Sequence, residues 1–498
     1  MHFGERKPQP IDLRGHNPWT VPHADLEMNP DPAARVQALL LAALRSTPRP
    51  FRLPPLPQDP AAAVADGAEA AVAFSLEAAR RSAESGSPLP GQAQEGFTWG
   101  LARLIRTALT PAGGDPAFQA LVLRSQDPQV DGYLQLAALS AADRRRVRTA
   151  VDAIAHPGKL RQHAPGSARE ALQHLHRLAS AGEWALLQQE GRQLLATMLP
   201  EETAVRAGLD ALLRDPALER LLRTQALEAT PGVRRYQALC AAGGPLAGSE
   251  AALARGRASG RSGRNAEART AQAFERAAAL LDGVAGGRGR CRVVRGLRMP
   301  GEFPGQPDRA KAEWDAAIVW EPEPGGSSDI LLLAEVKASP AAATTDYGRL
   351  LRGLRRLALA EPDANYAFAS DGGRIRLAGR SLRQLGPWGD GLPAQVIYCC
   401  PAPPGTLAAV LDPASKGMLL AEPASLAFAR QLTLGGDPTQ GELDPVWAEL
   451  THAPRLRAAL HQDRTARQAR EAMLDPHDLA AALAQVLATT VPPAGASA

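Results

Sequence analysis

The stretch DILLLAEVKAS, residues 329 to 339, constrains this chain more than any other. Five apolar residues run without alternation, and a glutamate and a lysine then follow two positions apart. A strand that is apolar on both faces belongs to a core. Successive strand side chains point to opposite faces, so Glu335 and Lys337 are expected to share a face with Leu331 and Leu333. A charged pair thus grows out of a core strand.

The flanking sequence gives that strand a context. From about 61 to 245 the chain is rich in Ala, Leu and Arg, with apolar residues at helical spacing and breaks such as SGSPLPGQ, TPAGGDP and HPGK. This region is predicted to be an all-helical domain of unassigned role. A Gly/Arg-rich linker is expected at 246–262, after which short strands alternate with helices. The predicted elements are helix 265–282, strands near 290–299, 313–321 and 329–338, helix 345–361, strand 365–370, a short helix near 379–386 and strand 394–400. That order is an α-β-β-β-α-β core over 263–401, attached to a large all-α N-terminal region. Residues 1–60 read as an extended Pro-rich segment with one short helix, and 402–498 as a helical extension with a disordered tail.

At roughly 150 residues per domain, 498 residues imply two to four units. The longest apolar runs fall well short of the roughly 20 residues of a membrane span, so no membrane partner is expected. The start, MHFGERKPQPIDLRGHNPW, has no apolar run behind its basic residues, which makes the cytoplasm the expected compartment. Cys240, Cys291, Cys399 and Cys400 lack paired C-x-x-C spacing and argue against zinc. His174 and His176 would fall on opposite faces of a helix, which is wrong for joint ligation. Net charge is only +4, but between Arg255 and Arg298 eleven arginines face three acids, Glu267, Glu275 and Asp282. Such a stripe suits a phosphate backbone. Arg255, Arg257, Arg261, Arg264 and Arg269 are the candidate nucleic-acid contacts.

Two further residues join the pair at the strand end. In helix 265–282 the apolar stripe Ala271, Phe274, Ala278 and Leu281 extends back to Glu267, which is therefore expected to point inward. In EWDAAIVW, Asp315 is expected on the face of Ala317 and Val319, opposite Trp314, Ala316, Ile318 and Trp320. Aspartate is depleted in strands, so position 315 asks for a reason. Lysine is scarce here, limited to Lys7, Lys159, Lys311, Lys337 and Lys416. A solvated cation in this chain would most often be arginine, and Lys337 offers instead a compact, tunable ammonium.

The order Glu267, Asp315, Glu335, Lys337 on helix, strand, strand, strand resembles the PD-(D/E)xK phosphodiesterase superfamily, over about 263–400. Gly263 and Glu267 in GRNAE match the family's helix pattern, Asp315 its second-strand acid, and EVK its E-x-K. Trp314 stands where the motif carries proline. The resemblance implies a restriction endonuclease-like fold and a nuclease that uses Mg²⁺ or Mn²⁺, acting on DNA rather than RNA. Asp315, Glu335 and the Val336 carbonyl would hold the metal, with Glu267 on a second ion or on the nucleophile and Lys337 orienting water. The helix after the third strand often adds a polar residue, here Asp346 or Arg355. Two rivals stand beside this reading: a catalytically silent nuclease-fold module that binds nucleic acid or assembles, and a structural helical protein that contacts a partner.

Overall fold

The computed structural model describes residues 31–161, 166–197, 203–244, 250–387, 389–403 and 409–490. The Pro-rich start (1–30), the first part of the expected linker (246–249) and most of the expected tail (491–498) lie outside them. The protein is mostly helical with one mixed seven-stranded sheet. It divides into two compact units, one of Met1–Pro55, Arg257–Ala409 and Gln462–Ala498, the other of Leu56–Gly256 and Val410–His461.

In the sheet-bearing unit the helices are α1 (Pro32–Ser46), α2 (Glu250–Ala285, which begins in the other unit), α3 (Ala341–Leu357), α4 (Gln462–Glu471) and α5 (Pro476–Thr490). The strands are β1 (Arg290–Arg298), β2 (Glu313–Glu321), β3 (Asp329–Val336), β4 (Asn365–Ser370), β5 (Gly373–Ala378), β6 (Val396–Cys399) and β7 (Met473–Leu474), in the order β5-β4-β1-β2-β3-β6-β7. β1, β2 and β3 form an antiparallel meander, and β6 lies parallel to β3. Parallel neighbours require a crossover, and the chain from β3 to β6 includes α3.

Each face of the sheet has its own core. On one side Trp314, Leu333 and Phe368 pack with Tyr347, Leu350 and Leu354 of α3. On the other, Ala316, Ile318 and Leu332 pack with Phe274 and Leu281 of α2, Leu39 and Leu40 of α1, and Leu479 and Leu483 of α5. Covering both faces is what the uninterrupted apolar run of β3 demands.

Several sequence expectations need correction. Residues 250–262 are not a linker but the first turns of the 36-residue α2. Glycine at 256, 260 and 263 costs helix stability by only about 1 kcal/mol each, and with alanine and arginine between them and no proline the helix continues. The region 402–498 is not one extension. Residues 410–461 join the helical unit, whereas Met473 and Leu474 pair with Tyr398 and Cys399 at the sheet edge. β5 was not anticipated, although Asp371 and Gly372 form a two-residue hairpin turn and buried Ile375 and Leu377 alternate with exposed Arg374 and Arg376.

The other unit is helical among its described residues and has two cores. One gathers Phe97, Leu101 and Ile105 with Phe428 and Trp447, and the other Val147, Leu175, Trp184 and Leu218. A 2.6 Å ion pair joins Arg220 to the buried Asp143. No described helix is long and apolar enough to cross a membrane.

Candidate active site

Asp315 owes its place to a kink shared by two strands. The register pairs Arg295 with Ala316 and Leu297 with Trp314, which sets Gly296 opposite Asp315. Gly296 has φ +58°, a conformation side chains disfavour, and a Cβ there would lie 2.4 Å from Asp371. The face alternation breaks at this point. Trp314 packs with Ala317 and Val319, not with Ala316 and Ile318 as simple alternation predicts. A second irregularity at Ile318/Val319 turns Leu331 toward the same core as Leu332, so Glu335 shares its face with Leu333 but not with Leu331. Asp315 is half-buried, and its Oδ2 accepts the Val336 N–H at 2.7 Å, fastening β2 to the end of β3.

At that end stands a compact cluster of charge. Glu335, only 3% exposed, accepts from the Lys337 ammonium at 2.7 Å and from the Lys311 ammonium at 2.6 Å, both on Oε1. Lys337 also donates to Asp346 Oδ2 at 3.0 Å, and Lys311 lies 3.7 Å from the same oxygen. Of the two helix residues considered, Asp346 is therefore at the cluster, whereas Arg355 pairs with Asp390. Glu335 Oε2 is buried with no hydrogen-bond partner.

Lys311 was missed in the sequence, where it lies outside any regular element. Its backbone is clamped to α3: its N–H donates to Arg349 O at 3.1 Å, and a Cβ on Gly353 would fall 2.6 Å from its carbonyl oxygen. The scarcity of lysine that singles out Lys337 applies equally to position 311 and was the available signal.

Burial raises the Glu335 pKa to about 7, with help from Asp315 and against the two lysines. Burial opposes the Lys337 charge, but Glu335 and Asp346 hold its pKa above the ordinary lysine value. Asp346 is lowered despite burial, chiefly by Lys311 and Lys337. A carboxyl whose folded pKa exceeds its unfolded value contributes stability that is full below about pH 4.5 and lost as pH rises through about 7. Glu335→Gln is therefore expected to gain on the wild type between those limits, by up to about 3 kcal/mol. Urea denaturation across that range checks this, and parallel stability curves would refute it.

The remaining expected residues are placed less favourably. Glu267 is exposed, not inward, because the buried stripe of α2 runs back through Thr270 and Ala266. Its carboxyl pKa is nonetheless raised, first by partial burial and then by Asp315, Asp371 and Glu313. Val336, expected to offer its carbonyl, engages Asp315 through its N–H. Arg257, Arg261 and Arg264 are exposed and recur at helical spacing on one face of α2. Arg269 is directed elsewhere, donating to Pro401 O at 2.6 Å, and the side chain of Arg255 lies outside the described set. Three of the β1 arginines are ion-paired: Arg290 and Arg292 with Glu321, and Arg298 with Glu313 and Asp371.

Among the described residues no group of three or more His, Cys, Asp or Glu is gathered so as to hold a metal ion, so the expected three-acid pocket is not assembled. Asp315 and Glu335 meet a lesser demand. Mg²⁺ commonly takes one or two protein carboxylates and completes its shell with water and substrate oxygens. The unpartnered Oε2 of Glu335 is an acceptor of the required hard-oxygen type. No family model, curated protein or solved structure matches this chain.

Proposed function

We propose that this protein is a metal-dependent nuclease whose α-β-β-β-α-β segment is a PD-(D/E)xK-type core, with DNA the favoured substrate. The observation that carries the reading is the buried, unpartnered Oε2 of Glu335 beside Asp315, at the strand end where Lys337 sits. Charge supports it in direction: the carboxyls of Asp315, Glu335 and Asp346 outnumber the ammoniums of Lys311 and Lys337, and the raised pKa of Glu335 marks a place where a further cation would be favoured.

Asp315 and Glu335 would hold Mg²⁺ or Mn²⁺, with Glu267 reaching it through water; when bound, such an ion acidifies water and neutralises the attacked phosphate. Lys337, fixed between Glu335 and Asp346, would use its remaining N–H to hold a nucleophilic water or a developing oxyanion. Lys311 and Lys337 together fix Glu335 through Oε1, which leaves Oε2 free to ligate. The exposed row Arg257, Arg261, Arg264 would take backbone phosphates without reading sequence.

Titration calorimetry with Mn²⁺ tests the reading: the full chain should bind the ion, and absence of binding would end it. Lys311→Met should weaken that binding by about 10- to 100-fold, as loss of a ligand-orienting partner does elsewhere. It should also cost about 1–3 kcal/mol of stability in chemical denaturation. Undiminished affinity would make Lys311 structural only. One observation favours a catalytically silent module instead: Lys311 already compensates Glu335 without any ion. Tighter Mn²⁺ binding by Lys311→Met would support that second reading, with Lys311 in the place of the metal.

A further inference from the structure

The sheet-bearing unit contains a cavity of about 770 Å³ that shares no residue with the lysine–carboxylate cluster. Three arginines line it, Arg45, Arg49 and Arg52, against a single acid, Glu471. Arg45 comes from the last turn of α1, and the other two from the segment that follows.

Arg49 is the informative member. Its Nη2 donates to Leu44 O at 2.9 Å, satisfying a carbonyl at the C-terminal end of α1. That bond accounts for one arm of the guanidinium. The other arm, Nη1, is buried with no acceptor. Burial and the neighbouring Arg52 both disfavour the Arg49 charge, so an anion entering the cavity that both residues line would relieve it.

Three guanidiniums against one carboxylate leave an excess of two positive charges. A phosphate monoester carries about −1.5 to −2 at neutral pH, and the planar guanidinium fork suits its oxygens. Leu392 and Val396 add apolar surface to the lining, which suits a ligand with an organic body. The volume falls within the roughly 300–1,000 Å³ usual for small-molecule sites.

We propose that this cavity binds a phosphate monoester borne on a ring-containing body of nucleoside size, with Arg49 and Arg52 holding the phosphate. The assignment is independent of the hydrolytic reading and stands or falls separately from it.

The test is calorimetric titration of the full chain with AMP, inorganic phosphate and adenosine, in EDTA so that metal-mediated binding cannot contribute. AMP should bind, phosphate more weakly, and adenosine not at all. Arg49→Met should abolish AMP binding. Arg52→Gln, at an exposed position that leaves the fold intact, should weaken it by about tenfold or more. No AMP binding, adenosine binding equal to that of AMP, or AMP binding indifferent to Arg52→Gln would overturn the proposal.

Discussion

Asp315→Asn is expected to abolish Mn²⁺ binding and to lower nucleic-acid cleavage by about 10³-fold or more, while leaving the fold intact. The asparagine carbonyl can still accept the Val336 N–H that Asp315 Oδ2 now takes at 2.7 Å, so the tie between β2 and β3 survives. Only the negative charge is lost. The variant therefore separates charge from architecture better than alanine would, since alanine strands the Val336 N–H at about 1–3 kcal/mol. Thermal melting should be near wild type, Mn²⁺ calorimetry flat and cleavage absent. Wild-type Mn²⁺ affinity in the folded variant would remove Asp315 from the site.

Lys337→Ala is expected to lower cleavage by about 10²- to 10³-fold, the range seen when one donor to a developing oxyanion is removed. The Lys337 ammonium is held from two sides, at 2.7 Å from Glu335 and 3.0 Å from Asp346. This fixity, more than the charge alone, is what alanine deletes. Mn²⁺ affinity should fall far less than in Asp315→Asn, because Lys311 still orients Glu335 through Oε1 at 2.6 Å. DNA affinity should also persist, since the exposed arginines of α2 are untouched. Gel-shift and single-turnover cleavage assays on one preparation separate the two effects. Loss of binding in proportion to loss of cleavage would make Lys337 a docking residue.

Long-period features were legible in the sequence. The apolar run of β3 demanded a covered strand, and the succession of strands and helices after 263 gave the order of the sheet-bearing core as far as β4. What alternation alone could not show was where it breaks. Gly296 opposite Asp315 and the irregularity at Ile318/Val319 each reverse the face of one residue, Trp314 in one case and Leu331 in the other. Glu267 failed for a related reason. Helical spacing left two stripes compatible with the pattern, and packing chose the one through Ala266 and Thr270. The long α2 was hidden because glycine and serine read as a joint, although glycine without proline weakens a helix without ending it. Lys311 shows the limit most clearly. It reaches Glu335 across 24 positions of sequence, held by backbone contacts to α3 that no local pattern reports.

The most direct measurement is incubation of supercoiled DNA with the full chain in Mn²⁺, in Mg²⁺ and in EDTA, beside the Asp315→Asn variant. Ion-dependent nicking or linearisation by the wild type, absent in EDTA and in the variant, is the predicted result. Intact DNA in both metals, or cleavage that Asp315→Asn retains, would contradict it.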